Sequence, residues 1–72
     1  MNDPVAVDAL LETSPELMTT QEIAKLLRVG NSTIVSWIQG KRLTAITMGP
    51  RLTRVRRDDL RTFLLHGDEL DD

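Results

Sequence analysis

Thr19-Thr20-Gln21-Glu22-Ile23-Ala24-Lys25-Leu26-Leu27-Arg28-Val29-Gly30-Asn31-Ser32-Thr33-Ile34-Val35-Ser36-Trp37-Ile38-Gln39-Gly40 is the stretch on which the fold turns. Its first four residues form a capping box: the Thr19 hydroxyl can accept from the Glu22 amide while the Glu22 carboxylate reaches back to the Thr19 amide. That opens a helix running through about Leu27, with Ile23, Leu26 and Leu27 as its apolar stripe. Val29-Gly30 interrupts for a few residues only. A helical pattern then restarts through Ser32, Thr33, Ile34, Trp37 and Ile38 and closes at Gly40, a residue suited to a left-handed C-terminal position. Two short helices therefore meet at a tight turn.

Working outward, the period changes to two after Lys41-Arg42-Leu43. Ile46 and Met48 alternate with Thr47, Gly49-Pro50 supplies a turn, and Thr53 and Val55 alternate with Leu52, Arg54 and Arg56, which predicts a β-hairpin. Asp58 is placed to cap a last helix, Asp59 favours its dipole, and Leu60, Phe63 and Leu64 share one face until Gly67. Upstream, Asp3-Pro4 reads as an N-cap followed by proline at the first helical position. Val7, Leu10 and Leu11 then share one face of a short helix ending near Thr13, and Ser14-Pro15 breaks it into a linker or sharp turn. The chain divides into a short helix and linker over residues 1–17, a domain over 18–66, and an acidic segment over 67–72 too polar and like-charged to pack.

Seventy-two residues support one small core and no deep catalytic cavity. There is no Cys, no Tyr and one His, His66, so the inventory offers no disulfide framework, no metal cluster and no catalytic constellation. We expect no enzyme, cofactor or small-molecule ligand. No apolar stretch approaches the length of a membrane span and the start lacks signal-peptide character, so a cytoplasmic setting in a bacterial host cell is expected. With Trp37 and Phe63 as the sole aromatics, the core must be aliphatic, and Trp37 is expected to join Ile34 and Ile38 in it.

The net charge of -2 hides a polarised chain. All nine Lys and Arg residues lie between Lys25 and Arg61, whereas residues 18–66 hold three acids, Glu22, Asp58 and Asp59, for a net +6. Four acids lie in residues 1–17 and four more in 67–72. Binding follows the local field, and the central segment has the charge of a polyanion binder.

Helix, tight turn, helix, hairpin, helix is the winged helix-turn-helix layout, mainly α with a small β-hairpin. In such a layout the second helix enters the DNA major groove, here presenting Asn31, Ser32, Thr33, Val35, Ser36 and Gln39. Asn and Gln can pair with adenine, Ser can donate or accept, and Val35 can meet a thymine methyl. Asn31 and Ser32 can alternatively cap their own helix. Arg28, Lys41, Arg42, Arg51, Arg54, Arg56 and Arg57 are candidates for phosphates, and Arg51 at the hairpin tip for an adjacent minor groove. Neutralising about five phosphates would make log K fall with log salt at a slope near about -4.5.

Residues 18–29, 32–38, 42–45 and 54–64 together resemble the excisionase and MerR-like DNA-binding family. The resemblance covers about two thirds of the chain and implies a winged helix-turn-helix with Asn31 to Ser36 on the recognition helix, Arg51 and Arg54 on the wing, and Thr20 near the DNA backbone. Ser36, Thr44 and Pro50-Arg51 depart from the family pattern of arginine, proline and paired arginines, which shifts weight toward shape readout. Stand-alone members resemble phage excisionases, or recombination directionality factors. These bind repeated sites cooperatively, bend DNA and direct a phage integrase toward excision. The resemblance thus implies an integrase partner beside double-stranded DNA, and the acidic ends beside a basic middle point separately to head-to-tail contact with a second protomer through the 5–11 helix. The alternative is a small helix-turn-helix transcriptional repressor that binds a palindrome as a closed dimer.

Overall fold

The computed structural model describes residues 2–50 and 52–66; the expectations for Arg51 and for the acidic segment 67–72 lie outside them. Four helices and three short strands follow in the order α1 (Pro4–Leu11), β1 (Leu17–Met18), α2 (Thr20–Leu27), α3 (Asn31–Gln39), β2 (Ile46–Gly49), β3 (Leu52–Arg56) and α4 (Arg57–Leu65). Asp3 caps α1 by accepting from the Val5 amide at 3.0 Å, and Pro4 occupies the first turn, where its missing N–H costs nothing. Val7 and Leu11, four residues apart, are buried against α4; Leu10, expected on the same stripe, lies at its rim and is 39% exposed.

The stretch expected to be a linker contains β1. It pairs antiparallel with β3, Leu17 opposite Arg56 and Met18 opposite Val55, so the sheet has three strands in the order β1-β3-β2. Two residues are too few to show an alternation, which is why sequence periodicity passed over them. Met18 and Val55 turn inward together and both are buried.

In α2 the capping box forms on both sides: Glu22 N–H donates to Thr19 Oγ1 at 3.0 Å and Thr19 N–H donates to Glu22 Oε1 at 2.8 Å. The helix ends in a left-handed residue, Arg28 (φ 59°), with the Val29 amide closing on the Ala24 carbonyl. The expected left-handed end of α3 is one residue displaced. Gly40 has φ -78°, and Lys41 takes the left-handed position at φ 61°. Lys41 N–H donates to Ile38 O at 3.0 Å and Arg42 N–H to Trp37 O at 2.9 Å, the paired bonds of a Schellman closure.

Asp58 does not cap α4. Strand β3 runs into the helix without a loop, and the Arg57 amide is already held by the carbonyl of Glu16, the residue before β1, at 2.8 Å. The first helical residue is therefore Arg57, with Asp58 and Asp59 inside the first turn, where they still complement the helix dipole.

All seven elements except β2 feed one core or flank it. Ile23, Ile34, Leu43, Val55 and Leu60 are wholly or almost wholly buried. Trp37 packs on this cluster with its ring 4.9 Å from that of Phe63, tilted by 41°. Ile46 and Met48 face solvent, because the hairpin projects beyond the core and only Val55 returns to it, and the expected alternation is interrupted at Met48, where the register shifts. The result is a winged helix-turn-helix: α2, turn and α3, then β2 and β3 as the wing, with α4 behind.

Candidate nucleic-acid interface

The N-terminus of α2, the outer side of α3 and the wing enclose an open cleft of about 420 Å³, lined by Thr19, Thr20, Gln21, Val35, Ile38, Gln39, Thr53 and Arg54. Four residues singled out from sequence, Thr20, Val35, Gln39 and Arg54, thus converge on one concavity. The capping box uses the amides of Thr19 and Glu22. The amides of Thr20 and Gln21, in the first turn, have no intrahelical acceptor, and both residues line the cleft. Two N–H groups, the positive end of a helix dipole and an arginine make this wall suited to an anion's oxygens. Arg54 is part-buried and oriented by a bond from Nη1 to the Thr53 carbonyl at 3.0 Å.

Asn31, Ser32, Ser36 and Gln39 are exposed along α3, with Thr33 and Val35 half-buried at its edge. Gly30 is the N-cap and no side chain caps this helix, so Asn31 and Ser32 are not engaged as caps. This face carries amides, hydroxyls and one valine and no charge. Cations flank it instead: Arg28 before α3 and Lys41 after it, both exposed.

The remaining predicted cations divide. Arg56 lies two residues from Arg54 on the same strand, hence on the same sheet face, and makes a long 3.8 Å contact with Asp58. Arg57, expected at a phosphate, donates from Nη1 to the Ser14 carbonyl at 2.9 Å, in a hollow shared with Asp8, Glu12 and Asp58. Arg42 lines another hollow with Asp59, Thr62, Phe63 and His66, beside α4. Arg61, never a candidate, is bound by Asp8 of α1. Charge counting along the chain could not separate these cations, because their assignment depends on where α1 and α4 place their acids. Gln21 and Thr53, which line the cleft, were passed over: one looked like an ordinary helix residue, the other like an inward strand residue.

The helix-turn-helix domain family matches residues 17–67, from β1 through α4. The excisionase of Mycobacterium phage D29 is 36% identical over 50 residues, which cover 69% of this chain and 89% of that protein. The chain belongs to the excisionase-type helix-turn-helix family. Within that family domain lie the cleft, the uncharged face of α3 and the wing; α1 precedes the matched residues.

Proposed function

We propose that this protein is a non-catalytic, sequence-reading binder of double-stranded DNA acting as an excisionase. The observation carrying this reading is the convergence of the α2 N-terminus, the outer side of α3 and Arg54 of the wing on one open cleft, beside an exposed helix face of Asn, Ser and Gln side chains. α3 enters the major groove, with Asn31, Ser32, Ser36 and Gln39 facing base edges and Val35 available to a thymine methyl. Thr20 and Gln21 with Arg54 hold phosphates of one strand, and Arg28, Lys41 and Arg56 hold others. Arg57, bonded to the Ser14 carbonyl, serves the fold.

On this reading the DNA-bound protein occupies repeated sites cooperatively, bends the duplex and directs an integrase toward excision, as expected of a stand-alone excisionase; the kinship with a phage excisionase supports the excisionase assignment. Head-to-tail contact between protomers then uses what α1 leaves outside the core, Val5 (75% exposed) and Leu10 with the neighbouring acids. The test is a footprint on duplexes selected by the protein from a random pool. Protection of direct repeats supports the excisionase reading. Protection of a palindrome by a closed dimer would support a transcriptional regulator instead, and absence of salt-dependent duplex affinity would remove the DNA reading altogether.

A further inference from the structure

The wing carries large apolar side chains where a soluble hairpin ordinarily carries polar ones. Met48 is 53% exposed, Leu52 50% and Ile46 38%, and β2 contributes nothing to the core. Their placement is set by the ladder. Gly49 pairs with Leu52 and Thr47 with Thr53, so the register skips Met48, an irregularity of one residue beside the turn that takes Met48 out of the ladder. Leu52 folds over Gly49, close enough that a Cβ there would touch its Cδ1 at 3.7 Å. Ile46 lies opposite Arg54, which puts Ile46, Leu52 and Arg54 on one side of the hairpin, with Arg56 two residues further on.

Residues 46–56 contain three arginines and no acid. An exposed apolar hairpin whose charged residues are all arginines suits an occupant that is anionic at its edges and apolar within. A protein surface of that kind is uncommon; a DNA groove, with phosphates at its rims and stacked bases at its floor, is that by construction. The hairpin also shares a cleft with α3, so an α3 seated in the major groove brings the tip to the adjacent minor groove.

We infer that Met48 and Leu52 form an apolar wedge that enters the minor groove and partly unstacks one base step, with Ile46 backing it and Arg54 and Arg56 on the flanking phosphates. This rests on the duplex-binding reading and adds a bending mechanism and a target preference. Insertion of such side chains kinks a duplex by about 20–90° toward the major groove. Pyrimidine–purine steps unstack at least cost, so the wedge selects a TA or CA step at a position no side chain reads by hydrogen bonds.

The experiment uses a duplex that the wild-type protein has selected from a random pool, with 2-aminopurine substituted in turn at each adenine. Wild type is expected to raise the fluorescence at a single step and to bend the duplex in a circular-permutation assay. Met48→Thr/Leu52→Thr keeps the charge and strand propensity of the wing; it is expected to bind, to melt at the wild-type temperature, and to lose both the fluorescence rise and the bend. Wild type bound without a rise at any position overturns the wedge while leaving DNA binding intact. So does a double variant that keeps the rise, or one that loses only self-association on two-site duplexes, which would assign the patch to a second copy. A wild type with no salt-dependent affinity for any duplex overturns the wedge and the binding reading together.

Discussion

Arg28 and Lys41 are the non-glycine residues with positive φ among those described, and both are long cations next to α3. A side chain in left-handed backbone costs roughly 1 kcal/mol relative to glycine, so each of these caps is less stable than it could be. Arg28→Gly and Lys41→Gly are each expected to raise unfolding free energy by about 0.5–1 kcal/mol in denaturant titration, whereas the alanine variants, still strained, gain nothing. All four are expected to weaken duplex binding by similar factors, since all remove a charge; a glycine variant that binds as wild type would release that residue from the interface. A second residue-scale prediction concerns Asp8, whose carboxyl is held below its ordinary value of 3.8 chiefly by the hydrogen bond from Arg61. A depressed carboxyl adds stability that is present above that ordinary value and lost as pH falls through the lower folded-state value. Asp8→Asn should therefore differ from wild type slightly at pH 7, both side chains being exposed, and the two should converge in strong acid. Chemical denaturation at pH 7 and below pH 3 checks it.

At the level of elements, the α2 cap serves both stability and the cleft. Thr19→Ala is expected to cost about 1 kcal/mol. It also removes the bond that orders the first turn, so duplex affinity should fall further than a change at Lys25, on the same helix but away from the cleft. Ile34, wholly buried on the inner side of α3, should cost about 2–5 kcal/mol on truncation to alanine, with binding loss tracking the unfolded fraction. Both elements were readable from sequence because their signals are local: a capping box over four residues, and apolar spacing of three and four. The hairpin was readable from its alternation and Gly49-Pro50, and α4 from Leu60, Phe63 and Leu64. What escaped depends on distant partners. β1 exists because β3 offers an edge to Leu17 and Met18; α4 starts at Arg57 because Glu16 takes its amide; Ile46 and Met48 are outside because the hairpin outruns the core. In the site, residue types on α3 showed which side chains could face bases, but only tertiary placement separates Arg54, at the cleft, from Arg57, bonded to Ser14.

For the whole molecule, α1 is the addition that matters. It lies outside the family-matched residues yet supplies Val7 and Leu11 to the core, ties Asp8 to Arg61, and is preceded by Asn2, whose backbone amide donates to the Leu65 carbonyl at 2.9 Å. Deleting residues 1–16 should therefore unfold the domain rather than abolish cooperativity selectively; loss of the helical circular-dichroism signal at 25 °C is the expected readout. Cooperativity is better probed with Val5→Ser/Leu10→Ser, which alters only the side left outside: single-site affinity should stand and two-site cooperativity fall. The same architecture separates cations among the described residues, giving Arg54 to the cleft and Arg61 to Asp8. The salt dependence of duplex affinity, measured by fluorescence anisotropy for wild type, Arg54→Ala and Arg61→Ala, tests that division, because the two variants carry the same net charge. Arg54→Ala is expected to weaken binding to every duplex and flatten the slope of log K against log salt by about 0.9, with Arg61→Ala retaining the wild-type slope; equal slopes for the two variants, or a wild-type affinity indifferent to salt, would contradict it.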